Sequence, residues 1–231
     1  MFSRALRYSF PVLLGYLAIG CAFGFLIADA GYPWWLALIM SAVMYAGAGQ
    51  YIAVGLFAAG AGLWEAALVQ FVVNARHIAY GLSMMNQFGN AGPLKFYLIF
   101  GLTDETFALL ASLPERRSLP DEESPAERTR LMFLITLLNH SYWVVGSVIG
   151  AVAGSLIPFS AAGIGYALTA LFIVLMIEQM YRIRRPGLFI ASAIPAVLCV
   201  VFLPSRLSLL AALALSLAFS SILSKINVAE A

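Results

Sequence analysis

The sequence predicts an all-α fold, a polytopic transmembrane helical bundle of about eight spans with both termini cytoplasmic. Three observations carry that prediction. Of 231 residues, 62% are hydrophobic and 10% charged, and mean hydropathy is +0.93, whereas soluble domains carry about a quarter charged residues. Apolar runs of about 20 residues recur along the chain, the length that crosses a hydrocarbon core of about 30 Å. Prolines 33, 93, 114, 158, 186 and 204 fall between those runs and Pro120 and Pro125 in one longer polar loop, where the missing N–H breaks no helix. The runs fill residues 1–231 as one transmembrane domain and leave no room for a soluble one. A net charge of +2 is too small to argue for nucleic acid.

The spans read as 10–29, 34–58, 63–85, 94–113, 131–155, 161–181, 187–203 and 206–223. Arg4 and Arg7 ahead of an apolar stretch, with Ala28-Asp29-Ala30 after it, resemble a secretory leader. The run Ser9 to Ala28 exceeds the usual apolar core of about 7–15 residues, and Gly15, Gly20 and Gly24 are spaced for helix packing. It is therefore expected to stay as the first span. Pro195 is read as the proline inside a span and predicts a kink. The segment from about 115 to 130 mixes arginine with Asp121, Glu122, Glu123 and Glu127 and reads as a solvated cytoplasmic connection. Orientation follows from basic residues. With an even number of spans and the N-terminus inside, Arg4, Arg7, Arg116, Arg117, Arg128, Arg130, Arg182, Arg184, Arg185 and Lys225 are cytoplasmic. Lys95 and Arg206 are outside, and Arg76 is intramembrane.

Polar residues at membrane depth mark candidate sites, because a charged side chain there costs about 2.5–3.5 kcal/mol on insertion scales. In the third span Gln70, Asn74, His77 and Gly81 share one stripe at helical spacing, and Arg76, Tyr80 and Ser83 form a second. A helix polar on two sides is expected to be central in the bundle. The second span holds Tyr45-Ala-Gly-Ala-Gly-Gln50-Tyr51, with glycines that weaken a helix by about 1 kcal/mol each. Two readings stand: a helix broken near Gly47–Gly49, whose freed backbone coordinates a ligand, or close packing of small residues. The fourth span places Asp104 and Glu105 at its midpoint, pointing about 100° apart. One carboxylate can pair with Arg76 and the other carry a proton. The fifth span repeats the theme with Asn139-His140-Ser141-Tyr142-Trp143 and continues as Gly146, Gly150 and Gly154, a ridge for close helix contact. Glu178 reads as an interfacial partner for Arg182, and the last span, rich in Leu, Ala and Ser, as plain packing. Cys21 and Cys199 lie in apolar runs and read as buried free thiols. No nucleotide-binding loop, zinc motif or serine nucleophile motif is present, so a cofactor, a metal and an enzyme role are not expected.

Four ordered motifs carry a resemblance: Ser41 to Gln50, Asn74 to Ser83, Leu102 to Leu109, and Asn139 to Trp143. Together they look like the AzlC family, the large subunits of bacterial branched-chain amino acid exporters, over roughly residues 8 to 185. The resemblance implies a multi-pass permease of the bacterial inner membrane that exports valine, leucine, isoleucine or methionine. It also implies a small multi-span partner of the AzlD family. Carried onto this chain, the pathway residues are Gln50, Asn74, Arg76, His77, Tyr80, Asp104, Glu105, Asn139 and Trp143. With no ATP site, coupling is expected to use protons. The readings kept beside this one are a non-transporting membrane subunit that holds a partner in place and an intramembrane enzyme.

Overall fold

The structure is a computed structural model that describes residues 1–89, 91–113, 124–156 and 186–203, with isolated positions between and beyond the last two. It divides into two units, Met1–Ile164 and Gly165–Ala231. Eight helices are defined among the described residues: α1 Phe2–Asp29, α2 Trp34–Val43, α3 Gly47–Ala58, α4 Leu63–Met84, α5 Leu94–Phe100, α6 Asp104–Ser112, α7 Pro125–Leu156 and α8 Pro186–Phe202. The all-helical expectation is met. Two of the helices, α1 and α7, are each long and apolar enough to cross a membrane alone.

The core of the first unit is the contact between α1 and α7. Gly20 and Gly24 of α1 face Gly146 and Gly150 of α7, and Gly154 faces Phe25 and Ala28. A Cβ built on Gly20 would lie 3.1 Å from the Ser147 nitrogen and the Trp143 carbonyl oxygen, and one on Gly146 would lie 3.0 Å from the Tyr16 and Leu17 carbonyls. On Gly24 it would run into the backbone of Ser147 and Ala151, and on Gly150 into that of Cys21. Only glycine lets two backbones approach this closely, which is how helices pack where the surroundings are as apolar as the side chains. Gly15 meets nothing and takes no part. Because residue numbers rise together along both helices, α1 and α7 run parallel. An odd number of crossings must lie between two parallel spans, which supports reading them as spans one and five, with three between.

Between them, two of the three expected spans are interrupted. The span at 34–58 is α2 followed by α3, broken at Met44–Ala46, where Tyr45 takes φ +39° and Ala46 φ −135°. The break expected near Gly47–Gly49 thus lies just ahead of Gly47, which opens α3. Left-handed backbone at a bulky residue costs on the order of 1–3 kcal/mol and persists only where the surroundings impose it. Both glycines also serve close packing: a Cβ on Gly47 would meet the Trp143 ring at 3.2 Å, and one on Gly49 the Gln70 and Asn74 amides at 2.8 and 2.9 Å. The span at 94–113 was expected to be continuous and is not. It is α5 and α6, separated at Gly101–Thr103, and Thr103 caps α6 by accepting from the Thr106 N–H at 3.2 Å. A Cβ on Gly101 would collide with the Thr136 methyl, so this break is pressed against α7. Asp104 and Glu105 consequently stand at a helix N-terminus, where the dipole favours carboxylates, instead of at mid-helix.

Three further expectations need correction. Helix α1 starts at Phe2, ahead of the apolar run, so Pro11 also lies within a helix. Helix α7 starts at Pro125, inside the segment read as a loop. Ser124 Oγ accepts from the Glu127 N–H at 3.2 Å while the Glu127 carboxylate accepts from the Ser124 N–H at 3.0 Å, a capping box that starts the helix early. Those bonds hold the Glu127 carboxyl below its usual range. Finally, α4 is not central. Its two polar stripes adjoin through His77 and Tyr80 and occupy one half of the circumference. The other half, Trp64, Leu68, Phe71, Ile78 and Leu82, is exposed, Phe71 at 67%. In the second unit Pro195 does lie inside α8, and Cys199 is a buried free thiol. The expected spans 161–181 and 206–223, Glu178, Arg182 and residues 114–123 lie almost wholly outside the described residues.

Candidate functional site

The two breaks and the polar half of α4 meet α7 and α1 in four linked groups of polar side chains. The first joins α4 to α6. Arg76 Nη1 donates to Asp104 Oδ2 at 2.5 Å and the Tyr80 hydroxyl to Asp104 Oδ1 at 2.5 Å, while the Tyr80 ring stacks on Phe107 at 4.6 Å. Both oxygens of Asp104 are thereby engaged. Of the two carboxylates that the sequence offered to Arg76, Asp104 is the one that pairs.

The second group ties α4 to the first turn of α3. Gln70 Nε2 donates to the Gly49 carbonyl at 2.8 Å, and Asn74 Nδ2 to Gln70 Oε1 at 2.9 Å. His77 Nδ1 lies 3.1 Å from the Asn74 carbonyl, which can only accept, so Nδ1 carries the hydrogen. The His77 ring sits 6.0 Å from that of Tyr80 and bridges the first two groups. Asn74 Oδ1 and Arg76 Nε are buried without a hydrogen-bond partner.

The third group clamps the α2–α3 break to α7. Trp143 Nε1 donates to Gln50 Oε1 at 2.8 Å, Gln50 Nε2 to Ser41 Oγ at 3.1 Å, Ser41 Oγ to Ser147 Oγ at 2.8 Å, and Ser147 Oγ to the Trp143 carbonyl at 2.8 Å. The chain of bonds closes on itself. His140 Nε2 donates to the Ser41 carbonyl at 3.2 Å, which leaves Nδ1 to accept from the Tyr97 hydroxyl at 3.0 Å. Gln50 is completely buried, and both ends of its amide are engaged by protein. Trp143→Phe keeps the packing but orphans that buried oxygen, at a cost of about 1–3 kcal/mol. The expected outcome is a lower melting temperature in detergent; an unchanged one would show that the Trp143–Gln50 bond does not stabilise the fold.

The fourth group lies at the α5–α6 break. Tyr16 of α1 donates to Glu105 Oε2 at 2.7 Å and sits 2.5 Å from Thr103 Oγ1; Thr103 donates to Thr106 Oγ1 at 3.0 Å, and Asn139 Nδ2 donates to the same oxygen at 3.0 Å. Glu105 is the exposed end of this row and Asn139, at 0% exposure, the buried end. Asn139 Oδ1 has no partner. The Tyr45 hydroxyl, 97% buried by the 3% exposure of its residue, faces Tyr16, Thr103 and Thr106 but completes a hydrogen bond with none of them. Its ring lies 4.3 Å from that of His140. Unpartnered buried polar atoms are rare in folded proteins and cost about 1–3 kcal/mol each. That they gather around the two breaks sets this place apart.

All nine residues expected in a pathway fall in these groups, but they do different things. Asp104 neutralises Arg76, Gln50 and Trp143 hold each other, and Glu105 and Asn139 stand at opposite ends of one hydroxyl row. Tyr16, Tyr45, Thr103 and Thr106 belong to the site and escaped the sequence reading. The Thr-x-x-Thr spacing before an apolar helix was a usable signal for a cap. Tyr16 is an aromatic in an apolar run and carried none.

The sequence model of the AzlC protein family matches residues 11–157, the span that contains every group just described. A membrane protein of Helicobacter pylori is 40% identical over 219 residues, covering 93% of this chain and 92% of its own length. The branched-chain amino acid transport protein AzlC of Bacillus subtilis is 34% identical over 186 residues, covering 80% of this chain and 70% of its own. The inner membrane protein YgaZ of Escherichia coli is 32% identical over 187 residues, with 78% and 74% covered. No solved structure matches. An all-helical chain with membrane-spanning helices, matched over most of its first unit and by such relatives, leaves one assignment: it is a membrane protein of the AzlC family of transport proteins.

Proposed function

We propose that this chain is the large subunit of a secondary transporter that exports branched-chain amino acids across the bacterial inner membrane, coupled to protons and assembled with a small AzlD-type membrane subunit. The observation that supports it most is the meeting of two interrupted helices around buried acceptors that the protein leaves unfilled. A zwitterion needs donors for its carboxylate and acceptors for its ammonium. The first turn of α3 offers uncapped amides at Gly47 and Ala48, a ready anion site in a low-dielectric setting. The acceptors for an ammonium to fill are Asn139 Oδ1 and the Tyr45 hydroxyl oxygen. Tyr45, Phe100 and Trp143 supply apolar surface for an aliphatic side chain. In this reading Arg76 and Asp104 are a latch between α4 and α6, since each satisfies the other, and Gln50 positions α3. The eight-span topology with both ends cytoplasmic fits the parallel packing of α1 and α7.

The test is efflux from cells preloaded with a leucine-containing dipeptide, with the small subunit co-expressed. Wild type is expected to exceed an empty vector clearly. Asn139→Ala, which removes the ammonium acceptor, is expected to lower efflux more than tenfold, as about 1.4 kcal/mol of lost ligand interaction already costs that factor, at unchanged membrane abundance. Wild-type efflux equal to the empty vector would sink export. Asn139→Ala with full efflux would move the site.

A further inference from the structure

Four oxygens in a row link the exposed Glu105 to the buried end at Asn139. The contacts between Glu105, Tyr16, Thr103 and Thr106 measure 2.7, 2.5 and 3.0 Å in order. Each contact needs one hydrogen, and each hydroxyl brings one. With Thr103 donating to Thr106, as the structure has it, the single Tyr16 hydrogen would have to serve both Glu105 and Thr103. It cannot. A proton on Glu105 completes the row: Glu105 donates to Tyr16, Tyr16 to Thr103 and Thr103 to Thr106. The Thr106 hydrogen is then sent inward, toward the Tyr45 hydroxyl, because Asn139 meets the same oxygen through Nδ2, which donates. Without that proton the row is completed only the other way round. Tyr16 donates to Glu105, Thr103 to Tyr16 and Thr106 to Thr103, and the Tyr45 oxygen is left open.

We propose that Glu105 is the proton-binding site of the transporter and that its proton and the substrate's ammonium exclude one another. The row Tyr16–Thr103–Thr106 carries the choice to the Tyr45 hydroxyl, one of the two oxygens that would hold the ammonium. This rests on the transport reading above and gives it a sign: one proton enters as one amino acid leaves. The step is a proton moving between water and the Glu105 carboxylate, with three hydroxyl hydrogens changing direction and no other bond altered. Among the described contacts, the titratable groups that face Glu105 are Tyr16 from α1 and Tyr45 from the α2–α3 break. Its neighbour Asp104 is committed to Arg76 of α4, and His140 of α7 to Tyr97 of α5 and to Ser41. Tyr16, Thr103 and Thr106 are positioning residues here, since they act through the ends of the row.

The experiment is leucine binding by the full chain, co-purified with the small subunit in nanodiscs, across pH, with thermal stability measured alongside. For one-proton competition the sign is fixed. Affinity is lost as pH falls through the Glu105 titration, by up to about tenfold per pH unit, and is level above it. Wild type is expected to show this slope and to release protons on binding leucine, read by a pH dye in weak buffer. Glu105→Gln and Tyr16→Phe, at wild-type stability, are expected to bind leucine with a flat profile and no proton release. They should still exchange labelled for unlabelled leucine in vesicles while losing uphill accumulation. A wild-type slope in Glu105→Gln would overturn the proposal. So would wild type that binds leucine without releasing protons, a result that stands even where both variants fail to fold. Wild type that binds no leucine at any pH would instead sink the substrate reading on which this rests.

Discussion

Gly150→Leu is expected to abolish accumulation of the folded protein, and Gly24→Leu to do the same, while Gly15→Leu leaves abundance unchanged. The three glycines look alike in sequence, each inside an apolar run. In the fold, a Cβ on Gly150 or Gly24 falls within the backbone of the opposite helix, whereas one on Gly15 meets nothing within 4 Å. Neither α1 nor α7 can yield, because their contact is the frame to which the other elements of the first unit attach. Modest overpacking costs about 1–3 kcal/mol, and a clash with backbone along a whole helix pair exceeds what a marginally stable protein can lose. The measurement is detergent-extracted, monodisperse protein by fluorescence-detected size exclusion. Gly150→Leu at wild-type yield would show that the two helices do not meet there.

Asp104→Asn is expected to remove leucine efflux and to lower membrane abundance several-fold. The substitution leaves Arg76 with its charge at membrane depth and weakens the acceptor of Tyr80. Breaking a fully buried pair costs about 3–5 kcal/mol through the charge left behind. Here Arg76 is 35% and Asp104 18% exposed, so solvent screening reduces the figure to about 1–3 kcal/mol. The double change Arg76→Gln with Asp104→Asn removes both charges. It is expected to recover abundance beyond either single change, because the uncompensated charge is gone, without recovering efflux if the latch between α4 and α6 must open and close. Abundance by quantitative blotting and efflux normalised to it separate the two effects. Additive losses in the double variant would mean that Arg76 and Asp104 act independently.

Much of the fold could be read before any coordinates. Composition and the length of apolar runs are dictated by the bilayer as solvent, which acts on every residue separately, so helices, spans and most turns follow from local chemistry. That Asn74, Arg76, Asp104 and Asn139 would be gathered with other polar groups was legible for the same reason: a polar group at membrane depth is costly wherever it sits. The glycine ridge at 146, 150 and 154 also announced a close contact, though not its partner. The break of the fourth span at Gly101–Thr103 was half legible: Thr103 is a local cap for α6, whereas the packing of Gly101 against Thr136 of α7 belongs to the tertiary structure. Tertiary structure alone decided that α4 keeps an exposed apolar side, since two polar stripes can serve two neighbours from one half of a helix. It chose Asp104 for Arg76, and it recruited Tyr16 to Glu105 across 89 positions of sequence. Hydrogen-bond satisfaction depends on which donor meets which acceptor. In this chain those partners come from α1, α4, α6 and α7, and no local pattern records their meeting.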